Sequence, residues 1–333
     1  FMGAGAGGGT QDIDHSVIIG YSAGAGVMTG GGGADGTVAI GSLAGNAITS
    51  GAGNVLVGKD SGKLLTTGSY NTTLGWNTGV ALATNTSHTT AIGYNALAAC
   101  NVSGDSRNTA IGSSAGEDIT SGTKNVAIGK GALSTSTTAL KVIAIGDSAM
   151  SACATGNTHE GSIAIGSEAL LNLTTGGGNI AIGVDTLKQN TTGARNVVGG
   201  DFVDSAASNY NVAIGGSALG GALNGALQNV AVGFNALLVN TTGDYNTALG
   251  SQAMLDASTV EHSVAIGYKA LAQNVDGDQN VAIGSLAGEK DNDDADNTSP
   301  DNCVYIGYNA MASDPTQTNE IVIGHSAEGQ GTN

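Results

Sequence analysis

Between Asn229 and Gly284 one five-residue pattern occurs four times: Asn229-Val-Ala-Val-Gly233, Asn246-Thr-Ala-Leu-Gly250, Ser263-Val-Ala-Ile-Gly267 and Asn280-Val-Ala-Ile-Gly284. The closing glycines stand 17 residues apart. A fixed period of this size marks a solenoid, in which each repeat is one coil stacked on the last. Extending the alignment gives 18 marker glycines from Gly20 to Gly324, and ten of the 17 spacings equal 17 residues, the others running from 15 to 23. Two helices and two turns do not fit in 17 residues, and β-branched residues at alternating positions oppose helix, so an α-solenoid is excluded.

Each position of the coil carries its own demand. Three residues before the marker glycine all 18 copies are β-branched, as in Val126, Ile143 and Thr247, and one residue before it 17 of 18 are Ile, Leu or Val. Residues two apart share one face of a strand, and stiff branched side chains suit that pleated surface. The residue between them is Ala in 12 copies, for example Ala127, Ala164 and Ala282. With the branched pair taken as the core face, alanine occupies the second face, where a lone solenoid would be expected to show polar groups. The alanines are therefore expected to contact a neighbouring chain. Four residues before the glycine Asn stands in ten copies, suited to a ladder of amide bonds along the axis. Three residues after it Ala stands in 14 copies, usually followed by Leu, Met or Gly, which reads as a second short strand or a corner with an inward apolar residue. Corners such as Thr174-Thr175-Gly176 close the coil.

Composition removes other classes. Glycine reaches 56 of 333 residues while proline is 2, so collagen, which needs glycine at every third position and abundant proline, is excluded. Hydrophobic residues at 40% in fixed positions oppose disorder. A net charge of −17 argues against nucleic acid as a partner. Cys100, Cys153 and Cys303 form no disulfide framework, and no apolar run reaches a membrane span. The start, Phe1-Met2-Gly3, has no charged and apolar leader, so the chain reads as a segment of a longer protein. The expected organisation is a Gly-rich leader over 1–14, one repeat domain over 15–328, and a following segment from 329 to 333.

Units such as Asn108-Thr-Ala-Ile-Gly-Ser-Ser-Ala-Gly116 and Asn246-Thr-Ala-Leu-Gly-Ser-Gln-Ala-Met254 resemble repeats of phage tail-fibre and virion structural proteins. The Ser-Val-Ala-Ile-Gly core of Ser263 to Gly267 is also similar to the head repeats of trimeric autotransporter adhesins. The resemblance runs from about Ser16 to Gly324. The repeat itself reads as an all-β parallel β-solenoid of about 18 coils with a 17-residue period; the resemblance to adhesin heads, whose usual period is shorter, implies a β-roll packed side by side as a homotrimer. It further implies a non-enzymatic fibre shaft or adhesin on a virion or in an extracellular setting. Host attachment would pass through corners and loops that bind a cell-surface glycan or protein receptor. A cellular trimeric adhesin head is the alternative, with a polysaccharide-cleaving spike and an ice-binding solenoid behind it.

Residues that could carry chemistry are few. His15, His88 and His262 share one register, five residues before the marker glycine, while His159 and His325 do not. The longest spacing, from Gly284 to Gly307, holds Glu289 to Asn297, in which Asp291, Asp293 and Asp296 are candidate oxygen ligands for Ca2+ without EF-hand spacing. Sugar-cleaving sites need paired carboxylates and aromatic platforms, and one Trp with three Phe supplies few. The glycine runs Gly3 to Gly9 and Gly30 to Gly33 lack the Gly-Lys-Ser/Thr ending of a phosphate loop. No catalytic residue and no cofactor is expected.

Overall fold

The computed structural model describes residues 2–9, 14–28, 34–82, 84–153, 159–200, 208–221, 225–291, 293 and 295–330. Gly30 to Gly33 lie outside them. The chain divides into two compact units, Phe1–Thr175 and Gly176–Asn333. All 18 strands are three residues long, and each ends on the residue before a marker glycine. The first unit holds β1 (Val17–Ile19), β2 (Val38–Ile40), β3 (Val55–Val57), β4 (Thr72–Leu74), β5 (Thr90–Ile92), β6 (Thr109–Ile111), β7 (Val126–Ile128), β8 (Ile143–Ile145) and β9 (Ile163–Ile165). Each pairs in parallel with the next, and the repeats stay in register: Val126 faces Ile143, Ala127 faces Ala144 and Ile128 faces Ile145. The second unit repeats the plan from β10 (Ile180–Ile182) through β18 (Ile321–Ile323). No α-helix occurs among the described residues. The parallel β-solenoid expected from the period is therefore the architecture within each unit.

The Gly-rich N-terminal stretch joins this plan rather than leading up to it. The Met2 N–H donates to the Ile18 carbonyl and Gly20 N–H to the Met2 carbonyl, so Met2 pairs with Ile19 as one coil with the next.

The marker glycine is required by two constraints together. Gly129 has φ +130°, and a Cβ added there would lie 2.2 Å from the carbonyl oxygen of Gly146 in the next coil. Backbone hydrogen bonds draw the stacked chains to about 4.8 Å, which leaves no room for a side chain at this corner.

The two faces of the strand are the reverse of the expectation. The central residue of every strand is buried, and its two neighbours are partly or fully exposed. Ala127, Ala164 and Ala282 are therefore core, and the branched pair on either side of each faces outward. The reason is width. Opposite the strand runs the return turn, whose Ala and Leu residues, such as Ala132 and Leu133, are also fully buried. Most coils close over a gap that one alanine fills; larger strand centres such as Ile18 and Leu56 fit where a glycine lies opposite, Gly24 for Ile18 and Gly45 and Gly62 for Leu56. Among the described residues no second strand forms there; the return segment is mostly turn, with isolated bridges such as Met311 to Glu328.

That turn places Leu or Met in a left-handed conformation, as at Leu97 (φ 49°), Leu133 (φ 54°) and Met254 (φ 50°). Such backbone normally favours glycine, so the side chain is there for its bulk. Where this position is Gly, a large residue usually fills the space from three places on: Gly45 with Ile48, Gly62 with Leu65, Gly79 with Leu82. Where it is Leu or Met, the later residue is mostly smaller: Cys100 after Leu97, Ser136 after Leu133, Ala257 after Met254; Leu170 and Leu173, both buried, are an exception. Tyr305 follows the same rule. It takes a strand centre otherwise held mostly by Ala, and Gly288 leaves the space: a Cβ on Gly288 would lie 2.7 Å from the Tyr305 ring.

Buried asparagines lace the coils together. Asn125 donates from its backbone N–H (3.0 Å) and from Nδ2 (3.1 Å) to Oδ1 of Asn108, and Nδ2 donates again to the Ala139 carbonyl at 2.7 Å. Its own Oδ1 accepts the Val142 N–H at 3.0 Å. The ladder expected from the sequence is present, and its members are fully buried. The left-handed residue lies one place earlier than the asparagine, at Lys124 and its equivalents. The corner threonines are also structural: the hydroxyls of Thr49, Thr120 and Thr241 each donate to the carbonyl of the matching residue one coil on, at 3.0–3.1 Å.

Core bulk should therefore be movable within a coil. Met254→Gly is expected to destabilise the second unit by about 2–4 kcal/mol through cavity formation. Adding Ala257→Leu should recover most of that loss. Urea unfolding of the wild type, both single variants and the double variant measures the coupling.

Candidate functional surface

The outward pair of each strand makes a continuous apolar strip down each unit. Many of its members are strongly exposed, with Leu74 at 47%, Ile182 at 49%, Ile214 at 48% and Leu249 at 46%. Two further outward columns flank the strip, one at each end of the strand. The leading column lies five residues before the marker glycine, and the trailing column one residue after it.

All 18 leading positions have positive φ, although only four of them, Gly36, Gly53, Gly161 and Gly178, are glycine. Among the others are Tyr70, His88, Arg107, Tyr245 and His262. Stacking at the coil repeat brings their flat side chains face to face. The Tyr70 and His88 rings are 5.3 Å apart and those of Tyr245 and His262 4.8 Å. Arg195 lies over the Tyr210 ring, and its guanidinium donates to the Tyr210 hydroxyl at 2.8 Å. The trailing column behaves alike: Trp76 meets Tyr94 edge-on at 5.5 Å with the Lys59 ammonium over its ring, and Tyr308 stacks on His325 at 5.1 Å. Tyr21, Trp76, Tyr94, Phe234, Tyr268 and Tyr308 are all exposed in this column. The few aromatic residues of the chain are thus concentrated beside the apolar strip.

The shared register of His15, His88 and His262 is the leading column, and within the first unit the coils of β2, β3 and β4 separate His15 from His88. His88 Nδ1 is 2.8 Å from Asp105 Oδ1, and the other carboxylate oxygen accepts from Arg107 at 2.9 Å. Arg107 first, and then His88, holds the Asp105 carboxyl below its ordinary range. His159 differs. It is fully buried, with Nε2 3.1 Å from the Ser136 hydroxyl and Nδ1 without a partner, and burial pushes its pKa down from 6.5.

The acidic insertion closes on itself. Asp291 is buried, and its Oδ1 accepts the N–H groups of Asp293 (3.0 Å) and Ala295 (2.8 Å). Asp296 pairs with Lys290 at 2.8 Å, and Glu289 with Lys269 at 3.1 Å. The candidate ligands Asp291, Asp293 and Asp296 lie in one loop, with two of their carboxylates already partnered. No group of three His, Cys, Asp or Glu residues able to hold a metal occurs among the described residues. Cys100, Cys153 and Cys303 are free and buried, and burial raises the Cys153 thiol to about 12. No helix among the described residues is long and apolar enough to cross a membrane. No family model matches the chain, and no curated protein does.

Two outcomes follow. His159 is held neutral in the fold, so the unfolded chain binds more protons as pH falls below 6.5, and stability is lost in that direction. Unfolding free energy should fall between pH 7 and pH 5 by no more than about 1.4 kcal/mol per pH unit from this group, seen as a lowered melting temperature, and His159→Leu should flatten the curve. Adding Ca2+ or EDTA should leave the melting temperature unchanged, because Asp291 and Asp296 already have partners and no three-ligand group occurs among the described residues.

Proposed function

We propose that the chain is a non-enzymatic structural element: a fibre shaft or adhesin that assembles side by side with copies of itself as a homotrimer. The observation that carries this is the outward strip. Monomeric soluble proteins rarely expose contiguous apolar patches beyond a few hundred Å². At about 60 Å² per outward side chain, the nine coils of one unit offer roughly 1,000 Å², comparable to one partner's share of a standard interface. The contact surface is thus the branched pair, not the alanines.

Sheet spacing limits the number of copies. Facing sheets pack about 10 Å apart, so each needs a partner surface roughly 5 Å away. From leading to trailing column a coil spans six residue steps, at most about 20 Å. Three such faces form a triangle whose centre is about 6 Å from each side, a gap that Val and Ile fill. Two facing sheets meet the same spacing, whereas four leave the axis empty. Resemblance to trimeric adhesin heads selects three.

The biological reading that fits best is a phage tail fibre, placed on a virion, with a cellular trimeric adhesin head as the second reading. Host-surface recognition would fall to side chains and loops outside the strip, since loops on a rigid scaffold are where recognition is usually built. The receptor class is a cell-surface glycan or protein.

Light scattering coupled to size exclusion tests the assembly. The native particle should have about three times the 32.3 kDa of the chain. Ile163→Glu should yield a folded monomer, whereas Ala164→Glu should unfold the first unit by burying an unpaired carboxylate, at a cost of several kcal/mol. A wild-type monomer at micromolar concentration overturns the reading.

A further inference from the structure

The fold asks little of the leading column. Its residues range from glycine to tyrosine at one backbone conformation, so their identities are free to serve something else. In the coils of β4 to β8 the column reads Tyr70, His88, Arg107, Lys124 and Lys141, one exposed residue in each of five consecutive coils. The last three set three of the chain's ten lysines and arginines in a row, at steps of about 4.8 Å. On a chain of net charge −17 a cationic row is the exception, and solubility does not explain it. The same edge of the second unit is different. There the residue just before the leading position is acidic in four consecutive coils, Asp244, Glu261, Asp278 and Asp301. Three of those carboxylates accept a backbone N–H from the coil before. Ser106, Thr123 and Leu140 hold that position in β6 to β8.

Few carboxylates oppose the row. Asp105 bridges His88 and Arg107, and Glu160 meets Lys141 at 2.7 Å. Lys124 has no acidic partner among the described residues. Exposed ion pairs hold their charges weakly, so the cations stay open to an outside anion. Tyr70, at the other end, gives a flat surface. One face of its ring stacks on His88, and Gly53 and Gly36 in the two coils before place no side chain over the other. A Cβ at Gly53 would press on that ring at 3.0 Å.

We propose that the column from Tyr70 to Lys141 binds an acidic glycan, a linear chain of carboxylate-bearing sugars lying along the edge of the first unit. The proposal rests on the host-surface recognition reading and names the chemistry of the receptor. One face of a sugar ring offers C–H bonds, which the negative face of an aromatic ring attracts. Tyr70 supplies that platform. Carboxylates on the following sugars meet Arg107, Lys124 and Lys141 through charge-assisted hydrogen bonds, the strong kind. A polymer with one carboxylate per sugar repeats its charge at roughly the coil step. Nucleic acid fits less well, because its phosphates call for a broad basic surface and this row is three cations long. The column borders the apolar strip without belonging to it, so binding does not use the surface assigned to self-association.

The test uses the full chain in solution over immobilised polygalacturonate, which carries a carboxylate on every sugar. The wild type should bind at low ionic strength, lose binding as salt screens the contacts, and ignore uncharged dextran. Arg107→Ala with Lys124→Ala should weaken binding by about tenfold. Lys59→Ala with Lys130→Ala removes the same charge from the trailing column, up to about 20 Å away, and should change binding by less than about twofold. Tyr70→Ala should weaken binding while leaving its salt dependence unchanged. An unaltered melting temperature in each variant shows that the fold is intact. No binding by the wild type overturns the site, and so do equal losses in the two double variants. Single-stranded DNA that binds as tightly as polygalacturonate, with the same dependence on Lys124, overturns the glycan assignment. A three-chain particle that does not bind polygalacturonate overturns the site and leaves the fibre reading standing. A monomer that binds it overturns the assembly and supports the site, since all five residues belong to one chain.

Discussion

Everything in this molecule depends on how close two stacked backbones lie. Parallel hydrogen bonding sets about 4.8 Å between coils, and at that distance the corner of each coil has space for a hydrogen atom only. Gly129 beneath the carbonyl of Gly146 is one instance of a contact that recurs along each unit, as at Gly41 beneath Gly58 and Gly250 beneath Gly267. The same economy governs the interior. Strand and return turn are so close that alanine becomes the usual core residue and larger groups mostly take turns, Leu133 with Ser136 or Ile48 with Gly45.

A core this narrow has little place for the branched residues that make the strand favourable. Val, Ile and Thr hold the extended backbone through their stiff side chains, but their bulk has to point away. Strand propensity and burial, which usually go together in a sheet, are separated onto opposite faces. The apolar strip follows from the thinness of the coil, and the flat side chains beside it stand where stacking at the coil repeat brings rings into contact.

Most of the fold was legible in the repeat. Period, strand position, parallel stacking and the asparagine ladder all followed from residues such as Asn125, Val126 and Gly129. The choice of inner face did not, because alternation distinguishes two faces without saying which is inside, and hydrophobicity pointed to the branched pair. A usable signal was present. Asn125 and Ala127 are two apart and share a face, so a ladder of buried asparagines already required the alanines to be internal. The left-handed Leu133 was not readable, since it violates backbone preference for the sake of filling space. The outward columns were missed because aromatic residues were counted over the whole chain, where they are scarce, rather than by register, where they cluster.

The exchange between Leu or Met in the turn and a large residue three places later has a consequence for how such a chain changes length. A coil that brings its own plug, in either location, needs little adjustment from the coils above and below. Duplication or loss of one repeat then leaves the neighbours packed, and the number of coils becomes a quantity that evolution can alter one step at a time. Spacings from 15 to 23 residues show that the perimeter tolerates insertion as well. Reach and outline are thereby set independently of the interior.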